Sequence, residues 1–578
     1  MNDGAPERAG NAIVRLGSFW HIAAEPQVLM RLKRLWAGIA KDVRGEIRMK
    51  RSPEVDREVQ WVLDGPWDFT ISEEDRADLH RGAEAMRAQV KQIESILGGA
   101  VPDREWPIAV TLRDYQKVGA AWWNTARRCL LADEAGVGKT LTSLAGLSAP
   151  GTLPAVIVCD LDLMIQWRGQ VLRAYPDARV HIIRSSGEVY DVIARTKQEE
   201  KRAGLPVGNG WPDFVICNYH KLAKWAPVFS RAGVQSLIYD EVQRVRHHDN
   251  DRYAGVMLLA ASVPRIMGLS ATPIHNYGEE FFNITEAIRP GMLGTREEFK
   301  REWCHRAADG KATLVDARAF GNRLRESGFM LRRTKKEVGR DLGKCTIVPY
   351  LIDADLSILS TESHELRRLA TIIADPPKGA GAFQVIGRAQ REFDAKLRQL
   401  TGITKAPHVA ALAEMVIDSG KSVIILGWHR GVWDILAKRL ERFAPAFRTG
   451  EETVKQKEEA FRRFTAGETP VMCISIESAA GMDGLQHVCS TGITAEFSWT
   501  PVPELQGRWR IDRDGQEEPV TWYRPYIEWG SDPIVMDVCT KKMADSAGVL
   551  DPNEQAAPHQ VDPNLIKKLA IDYLQRHR

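Results

Sequence analysis

The sequence predicts an α/β protein of two lobes, each a parallel sheet flanked by helices. Three observations carry that prediction. At 578 residues the chain is too long for one hydrophobic core. Short apolar runs of strand length recur from about residue 128, separated by stretches long enough for a helix. Strands buried on both faces and alternating with helices form parallel sheets. The series then pauses and starts again beyond residue 420. The expected layout is an N-terminal accessory domain at 1–104, a first lobe at 105–294, helical insertions and a brace at 295–400, a second lobe at 401–545, and a linker with a last helix at 546–578.

Taken in order, the accessory domain shows one clear element. Residues 72–99 read as an amphipathic helix with Leu79, Met86, Val90, Ile93 and Leu97 on one face. Ser72 with Asp75 resembles a capping box, and Gly98-Gly99 stops the helix. The first lobe supplies the strand candidates RCLLADE, AVIVCD, RVHIIR, DFVICNY, SLIYDE and RIMGLS. Residues 295–340 are charged and helix-prone, ending in MLRRTKKEV, and 375–382, DPPKGAGA, read as an exposed loop. The second lobe supplies SVIILGWH, VMCISI and TGITAEFSW. After the linker DPNEQAAPHQ, Asp562-Pro563 caps a last helix, Leu565 to His577.

Composition narrows the class. Hydrophobic residues make up 44% and charged residues 27%, as in ordinary soluble domains. A net charge of +3 is too mild to announce a polyanion partner, so any phosphate-binding surface must be a local patch. Cys129, Cys159, Cys217, Cys304, Cys345, Cys473, Cys489 and Cys539 are scattered without a Cys-x-x-Cys pair. That argues against a zinc module or disulfide framework and fits a reducing compartment. No apolar run approaches the roughly 18–20 residues needed to span a bilayer. The first ten residues lack a signal-peptide pattern. The expectation is a cytoplasmic protein, nuclear if eukaryotic, without a membrane partner and working as a monomer. The 17 tryptophans are dispersed and are expected to pack cores.

The chemistry begins at LADEAGVGKT, Leu131 to Thr140, which follows a strand and opens a helix. That is the setting of a phosphate-binding loop. Gly136 and Gly138 let backbone N–H groups crowd around phosphate oxygens; Lys139 would reach the outer phosphates and Thr140 would hold Mg²⁺. The strict pattern has Gly where this chain has Asp133. Alone, GVGKT also fits a small-molecule kinase or a chance match. SLIYDEVQ then places Asp240 and Glu241 directly after an apolar run. Asp240 can bind magnesium through water, and Glu241 can orient and deprotonate an attacking water, which makes the reaction hydrolysis.

Around these sites the chain resembles the superfamily-two helicases, and within them the Swi/Snf-type DNA translocases. LRDYQKVGAAWW resembles the family's opening motif, in which Gln116 would read adenine, and ADEAGVGKT matches the family's own phosphate loop, with Asp-Glu in place of the first Gly. DLMIQW, ICNYHKL, DEVQ, GLSATPIHN, MLRRTKKEV, ESAAGMDGLQ and QGRWRIDRDGQ follow in family order over roughly 112–516. The resemblance implies two RecA-like lobes with ATP between them. By it, the nucleotide site would comprise Gln116, Asp133, Glu134, Gly136, Val137, Gly138, Lys139, Thr140, Gly481 and Gln506, with Mg²⁺ on Thr140 and Asp240. Lys139, Asp240, Glu241, Arg510 and Arg513 would be catalytic. When the lobes close, Arg510 and Arg513 would meet the γ-phosphate that Lys139 holds. Arginine fingers of this kind accelerate phosphoryl transfer by about 10³–10⁵. The alternative for that segment is a solvated helix face held by Asp512 and Asp514; Arg508 keeps that reading.

Nucleic-acid contacts implied by the resemblance are Gln166, Trp167, Asn218, His429 and Ser478. Arg332, Arg333, Lys335 and Lys336 form a basic patch that is either a phosphate contact or a solvated helix. Trp428 and Trp509 either stack on a base or pack. The expected function is an ATP-driven translocase on double-stranded DNA, of the compact bacterial or phage kind, acting in remodelling, replication or repair. A strand-separating DNA or RNA helicase and an inactive nucleic-acid-binding scaffold are the alternatives.

Overall fold

Alternating apolar and polar residues at the N-terminus build a sheet that the sequence reading did not foresee. The computed structural model describes residues 10–36, 38–40, 42–184, 198, 201, 210–248, 251–273, 278–306, 312–340, 345–354, 363–376, 382–476, 482, 484–551 and 565–576. Strands β1 (Ala12–Leu16), β2 (Phe19–Ala23) and β3 (Glu46–Lys50) pair antiparallel in the order β1-β2-β3. Ile13, Trp20, Ile22, Ile47 and Met49 lie on the buried face and pack with Leu29 and Leu32 of helix Pro26–Leu35 and Val59 and Val62 of helix Pro53–Leu63. The Trp20 indole N–H donates to Asp56 Oδ1 at 2.6 Å, so the sheet and second helix are joined by a buried charge-assisted bond. Five-residue strands, of which only β3 alternates charged and apolar residues throughout, give too short a periodic signal to stand out from loop.

The predicted amphipathic helix runs Glu73–Leu97, and Ser72 Oγ accepts the Asp75 N–H as its N-cap. Its buried face is Leu79, Ala83, Met86, Ile93 and Ile96. Val90 is only half-buried and Leu97 is exposed. The helical period of 3.6 drifts against a seven-residue spacing, so over 25 residues the inward stripe moves from Leu97 to Ile96. Leu79 packs in the accessory core, whereas Ile93 and Ile96 pack with Trp122 and Trp123 of the next domain.

Contacts divide the chain into two units: residues 1–134, 138–334 and 548–555, and residues 135–137, 335–547 and 556–578. Among the described residues the first unit carries a seven-stranded parallel sheet. Its strands are β4 (Arg128–Leu131), β5 (Ala155–Cys159), β6 (Val180–Ile182), β7 (Phe214–Asn218), β8 (Ser236–Asp240) and β9 (Arg265–Leu269), and, after the hairpin β10 (Cys304–Arg306) and β11 (Ala312–Leu314), β12 (Met330–Leu331). The order is β12-β4-β9-β8-β5-β7-β6. Every residue of β5 and β7 is buried, as a sheet covered on both faces requires. One core layer includes Trp225, Phe229, Phe281 and Phe320, and the other Trp122, Trp123, Trp167 and Phe214. The start of MLRRTKKEV is not helical. Met330 and Leu331 pair with Leu130 and Leu131 as an edge strand, and residues 332–334 leave it as coil. Burial of Met330 and Leu331 against the sheet overrides the helical propensity of the flanking charged residues.

The second unit's strands are β13 (Thr346–Leu351), β14 (Val423–Gly427), β15 (Ala446–Arg448), β16 (Val471–Ser475), β17 (Thr491–Thr494) and β18 (Thr521–Tyr526). Among the described residues they form a parallel sheet of order β13-β18-β17-β14-β16-β15. Helix Ala382–Asp418 precedes β14, and its Ala406, Val409, Ala410 and Ala413 pack on the sheet. The linker residues 552–560, Asp562-Pro563 and most of the loop at 375–382 lie outside the described residues. No described helix is long and apolar enough to cross a membrane.

Gly492 on β17 shows how closely the second sheet is packed. A Cβ there would overlap the ring of Trp522 on β18, whose Nε1 donates to Thr494 Oγ1 at 2.8 Å. Gly492→Ala should therefore destabilise this unit by about 1–3 kcal/mol, read as a lower urea midpoint at unchanged slope.

Candidate nucleotide site and its supports

The loop from β4 to helix Lys139–Gly146 turns through two left-handed glycines, Gly136 at φ 84° and Gly138 at φ 95°. Only glycine adopts such angles without a steric cost. Gly138 is also bare for a second reason: a Cβ would come within 2.7 Å of Gln116 Nε2. Gln116 is buried on helix Asp114–Ala126, and its Oε1 accepts the Arg113 N–H at 3.0 Å as part of a capping box. The amide therefore lies against the phosphate loop.

Asp133 stands where the strict loop pattern has glycine, and its surroundings explain it. Its carboxylate is fully buried and receives Arg333 Nε at 3.0 Å and Arg333 Nη2. Arg333 Nη1 also donates to the Tyr115 carbonyl, with the guanidinium 5.4 Å from the Tyr115 ring. Next to it, Arg332 makes a two-pronged bond to Asp551, Nε to Oδ1 at 3.1 Å and Nη2 to Oδ2 at 2.9 Å. The side chains of Arg332 and Arg333 are only 10% and 12% exposed. The basic patch expected at these two positions is thus turned into the fold, because each guanidinium has a carboxylate beside the sheet edge.

Lys139 opens the helix. Its Nζ donates to the carbonyls of Asp133 at 2.7 Å and Glu134 at 3.3 Å. Burial lowers its pKa to about 8, against the pull of Glu241 and Asp133. Thr140 follows in the first turn. Asp240 ends β8, two strands from β4 in the sheet. Its Oδ2 accepts the Trp167 indole N–H at 2.8 Å and its carbonyl accepts the Tyr219 hydroxyl at 2.6 Å. Burial, then the adjacent charge of Glu241, raise the Asp240 pKa to about 7, opposed by Trp167 and Lys139. Glu241 sits at φ 51°, a left-handed angle uncommon for a residue with a side chain, and its Oε2 accepts Gln243 Nε2 at 2.5 Å. Beyond β9, the Ser270 hydroxyl accepts the Thr272 N–H at 3.0 Å; residues 274–276 of that motif lie outside the described residues.

These residues suit a nucleoside triphosphate with Mg²⁺. The loop offers N–H groups at a helix N-terminus, Lys139 offers a buried ammonium, and Thr140 and Asp240 offer oxygen donors. Among the described residues no cluster of His, Cys, Asp and Glu could hold a metal by itself.

The remaining expected contacts are placed unevenly. Trp167 is only 3% exposed and faces Asp240 instead of a surface, since its indole fills the core between helix Met164–Ala174 and the sheet. Gln166 is half-buried at the start of that helix. Asn218, also buried, caps the turn after β7 by accepting the Lys221 N–H at 3.1 Å. In the second unit, Trp428 is exposed after β14, and His429 Nδ1 lies 2.5 Å from Glu496 Oε1. Gln506 is on helix Val502–Arg508. Arg510 and Arg513 follow it, half-buried, on either side of Ile511, which is buried with Leu485 and Trp522. Arg510 Nη1 donates to the Met482 carbonyl at 3.3 Å. Asp512 pairs with Lys335 at 3.2 Å and Asp514 with Arg340, so the acidic residues of the segment answer cations elsewhere in this unit. Ser478 and Gly481 lie outside the described residues. Sequence reasoning included Gln243 in the DEVQ motif without giving it a role, and missed Glu496 and the partner role of Asp551, neither of which carried a local signal.

Arg333→Met should leave Asp133 buried without its partner and cost about 3–5 kcal/mol of stability. Chemical unfolding measures the loss. A residue that served only as a phosphate contact would leave the midpoint unmoved and reduce the salt slope of nucleic-acid binding.

The family model described as an SNF2-related domain matches residues 82–360. "DNA repair and recombination protein RAD54-like" of Drosophila virilis is 22% identical over 489 residues, covering 75% of this chain and 61% of that protein. "Protein CHROMATIN REMODELING 5" of Arabidopsis thaliana is 22% identical over 478 residues, covering 76% of this chain and 27% of that one. The chain thus spans about three fifths or less of the length of these two relatives. A solved structure, the Sulfolobus solfataricus SWI2/SNF2 ATPase core in complex with dsDNA, is similar at 19% identity and a TM-score of 0.36, covering 75% of this chain and 92% of that one. With its ordered motifs and a parallel sheet in each unit, the chain is similar over residues 82–360 to the SNF2-related domain, and over a longer span to these Swi/Snf-type proteins.

Proposed function

We propose that this chain hydrolyses ATP in response to double-stranded DNA and uses the cycle to move along it. One observation carries the reading: Asp240 and Glu241 stand at the carboxyl end of β8, and Lys139 opens the helix that a glycine loop joins to the carboxyl end of β4 in the same parallel sheet. Ligands bind in open α/β sheets at that edge. The relatives named for DNA repair and chromatin remodelling support DNA as the partner.

The roles follow from the chemistry of each side chain. Gly136, Val137 and Gly138 direct backbone N–H groups to phosphate, with Asp133 and Glu134 shaping the loop, and Lys139 neutralises the outer phosphates. Gln116, buried against the loop, recognises the base side of the nucleotide. Mg²⁺ held by Thr140 and Asp240 would offset charge on the β- and γ-phosphates. Glu241 orients the attacking water and accepts its proton. Arg510 and Arg513 supply positive charge to the transferred phosphoryl group, with Gln506 and Gly481 on the same nucleotide. Gln166, Asn218, His429 and Ser478 are the proposed contacts to DNA. Loss of the γ-phosphate removes the charge that favours a closed state, and alternation between the two states advances the protein.

Duplex DNA should raise the ATPase rate, with DNA affinity falling steeply as salt rises. Lys139→Ala should abolish turnover. Glu241→Gln should retain ATP binding and lower kcat by about 10²–10⁴, and Arg510→Ala or Arg513→Ala should lower it by about 10³ or more. Steady-state assays with duplex DNA, single-stranded DNA and RNA check the reading. Stimulation by single strands alone, with strand displacement, would make the chain an unwinding helicase; absence of turnover would make it a scaffold.

A further inference from the structure

Two ties join the same pair of segments in the first unit. One segment, residues 160–167, leaves β5; the other, residues 240–244, leaves β8, its neighbour in the sheet. The inner tie is the bond from the buried Trp167 Nε1 to Asp240 Oδ2 at 2.8 Å. The outer tie is Arg244, whose Nη2 and Nε donate to Asp160 Oδ2 at 2.7 and 3.1 Å. Between them the first segment buries Leu163 and Met164 but presents two large apolar residues to solvent, Leu161 at 59% and Ile165 at 66% exposure.

We propose that Trp167 is a positioning residue for Asp240, and that its hydrogen bond couples DNA contact on residues 161–166 to the carboxylate that holds the magnesium. The inference rests on the function proposed above. Ile165, Gln166 and Trp167 are consecutive in the first turns of helix Met164–Ala174. Successive residues of a helix point about 100° apart, so one short rigid piece presents Ile165 outward and the indole inward. Contact that shifts this turn shifts the indole, and an N–H donor bond weakens steeply with small losses of alignment. With Oδ2 held by the indole N–H, Oδ1 is the oxygen left to bind a metal. Packing alone would need no N–H here. By linkage, a nucleotide–metal complex that favours the aligned carboxylate also favours the DNA-bound position of the turn.

The test uses the full chain and two variants. W167F keeps an aromatic ring, and replacement of Trp167 by 3-benzothienylalanine keeps the indole's shape and removes only its N–H. Calorimetry gives Kd for ADP with Mg²⁺ and for ADP with EDTA, each with and without a duplex oligonucleotide. We expect both variants to bind Mg·ADP about tenfold more weakly, as loss of a hydrogen bond to a charged group predicts. Binding of ADP in EDTA should be unchanged, and the duplex should no longer alter Mg·ADP affinity. Equal weakening with and without Mg²⁺, or wild-type Mg·ADP affinity with the duplex effect intact, overturns the proposal. Binding is read without turnover, so a wild-type protein that binds Mg·ADP but does not hydrolyse ATP defeats the proposed function while leaving the Trp167–Asp240 link measurable. A wild-type protein that does not bind Mg·ADP defeats both.

Discussion

The contact between Arg333 and Asp133 holds the phosphate loop where it can work. A carboxylate with no exposed surface sits at the root of a glycine-rich turn. Burying that charge is costly unless it is paired and hydrogen-bonded. Arg333 satisfies it with two nitrogens and uses a third on the Tyr115 carbonyl, one residue before Gln116. A single guanidinium thus ties the coil after β12 to the loop after β4 and to the helix that carries Gln116. Backbone bonds extend the same seam, with Ala132 N–H on Leu331 and Glu134 N–H on Arg333. Flexible glycines are tolerated at Gly136 and Gly138 because the residues before them are fixed.

The second constraint is the parallel sheet itself. Its strands close their hydrogen bonds with one another and bury both faces, so polar chemistry is left to the loops at the strand ends. Asp240 shows the consequence. It sits at the last position of β8, where burial lifts its pKa to about 7 and the Trp167 N–H and Lys139 draw it back. Lys139 is lowered to about 8 by the same burial. Two groups of opposite charge, each disfavoured alone by desolvation, favour each other. Perturbed groups of this kind cluster at functional sites.

Corrections to the sequence reading share a cause. The arginines of MLRRTKKEV look like an exposed basic helix because four cations stand there against one acid, Glu337. Their partners are Asp133, 200 positions earlier, and Asp551, 219 positions later. Trp167 looked like a surface contact beside Gln166, yet its donor meets Asp240 across 73 positions. The three N-terminal strands were missed for the opposite reason: their partners are close in sequence, but five alternating residues are a weak pattern.

The sequence by itself determined the α/β class, the strands β4 to β9 and β14, β16 and β17, and the residue types of the candidate site. Strand-length apolar runs, the glycine spacing and the Asp-Glu pair are all local signals, set by period and by backbone steric limits. Tertiary structure alone decided which charges are internal, which strand lies at the edge beside β4, and that Trp167 rather than solvent faces Asp240. Those outcomes depend on what lies across the sheet or beyond a loop closure, and burial changes the strength of each charge only once that neighbour is in place.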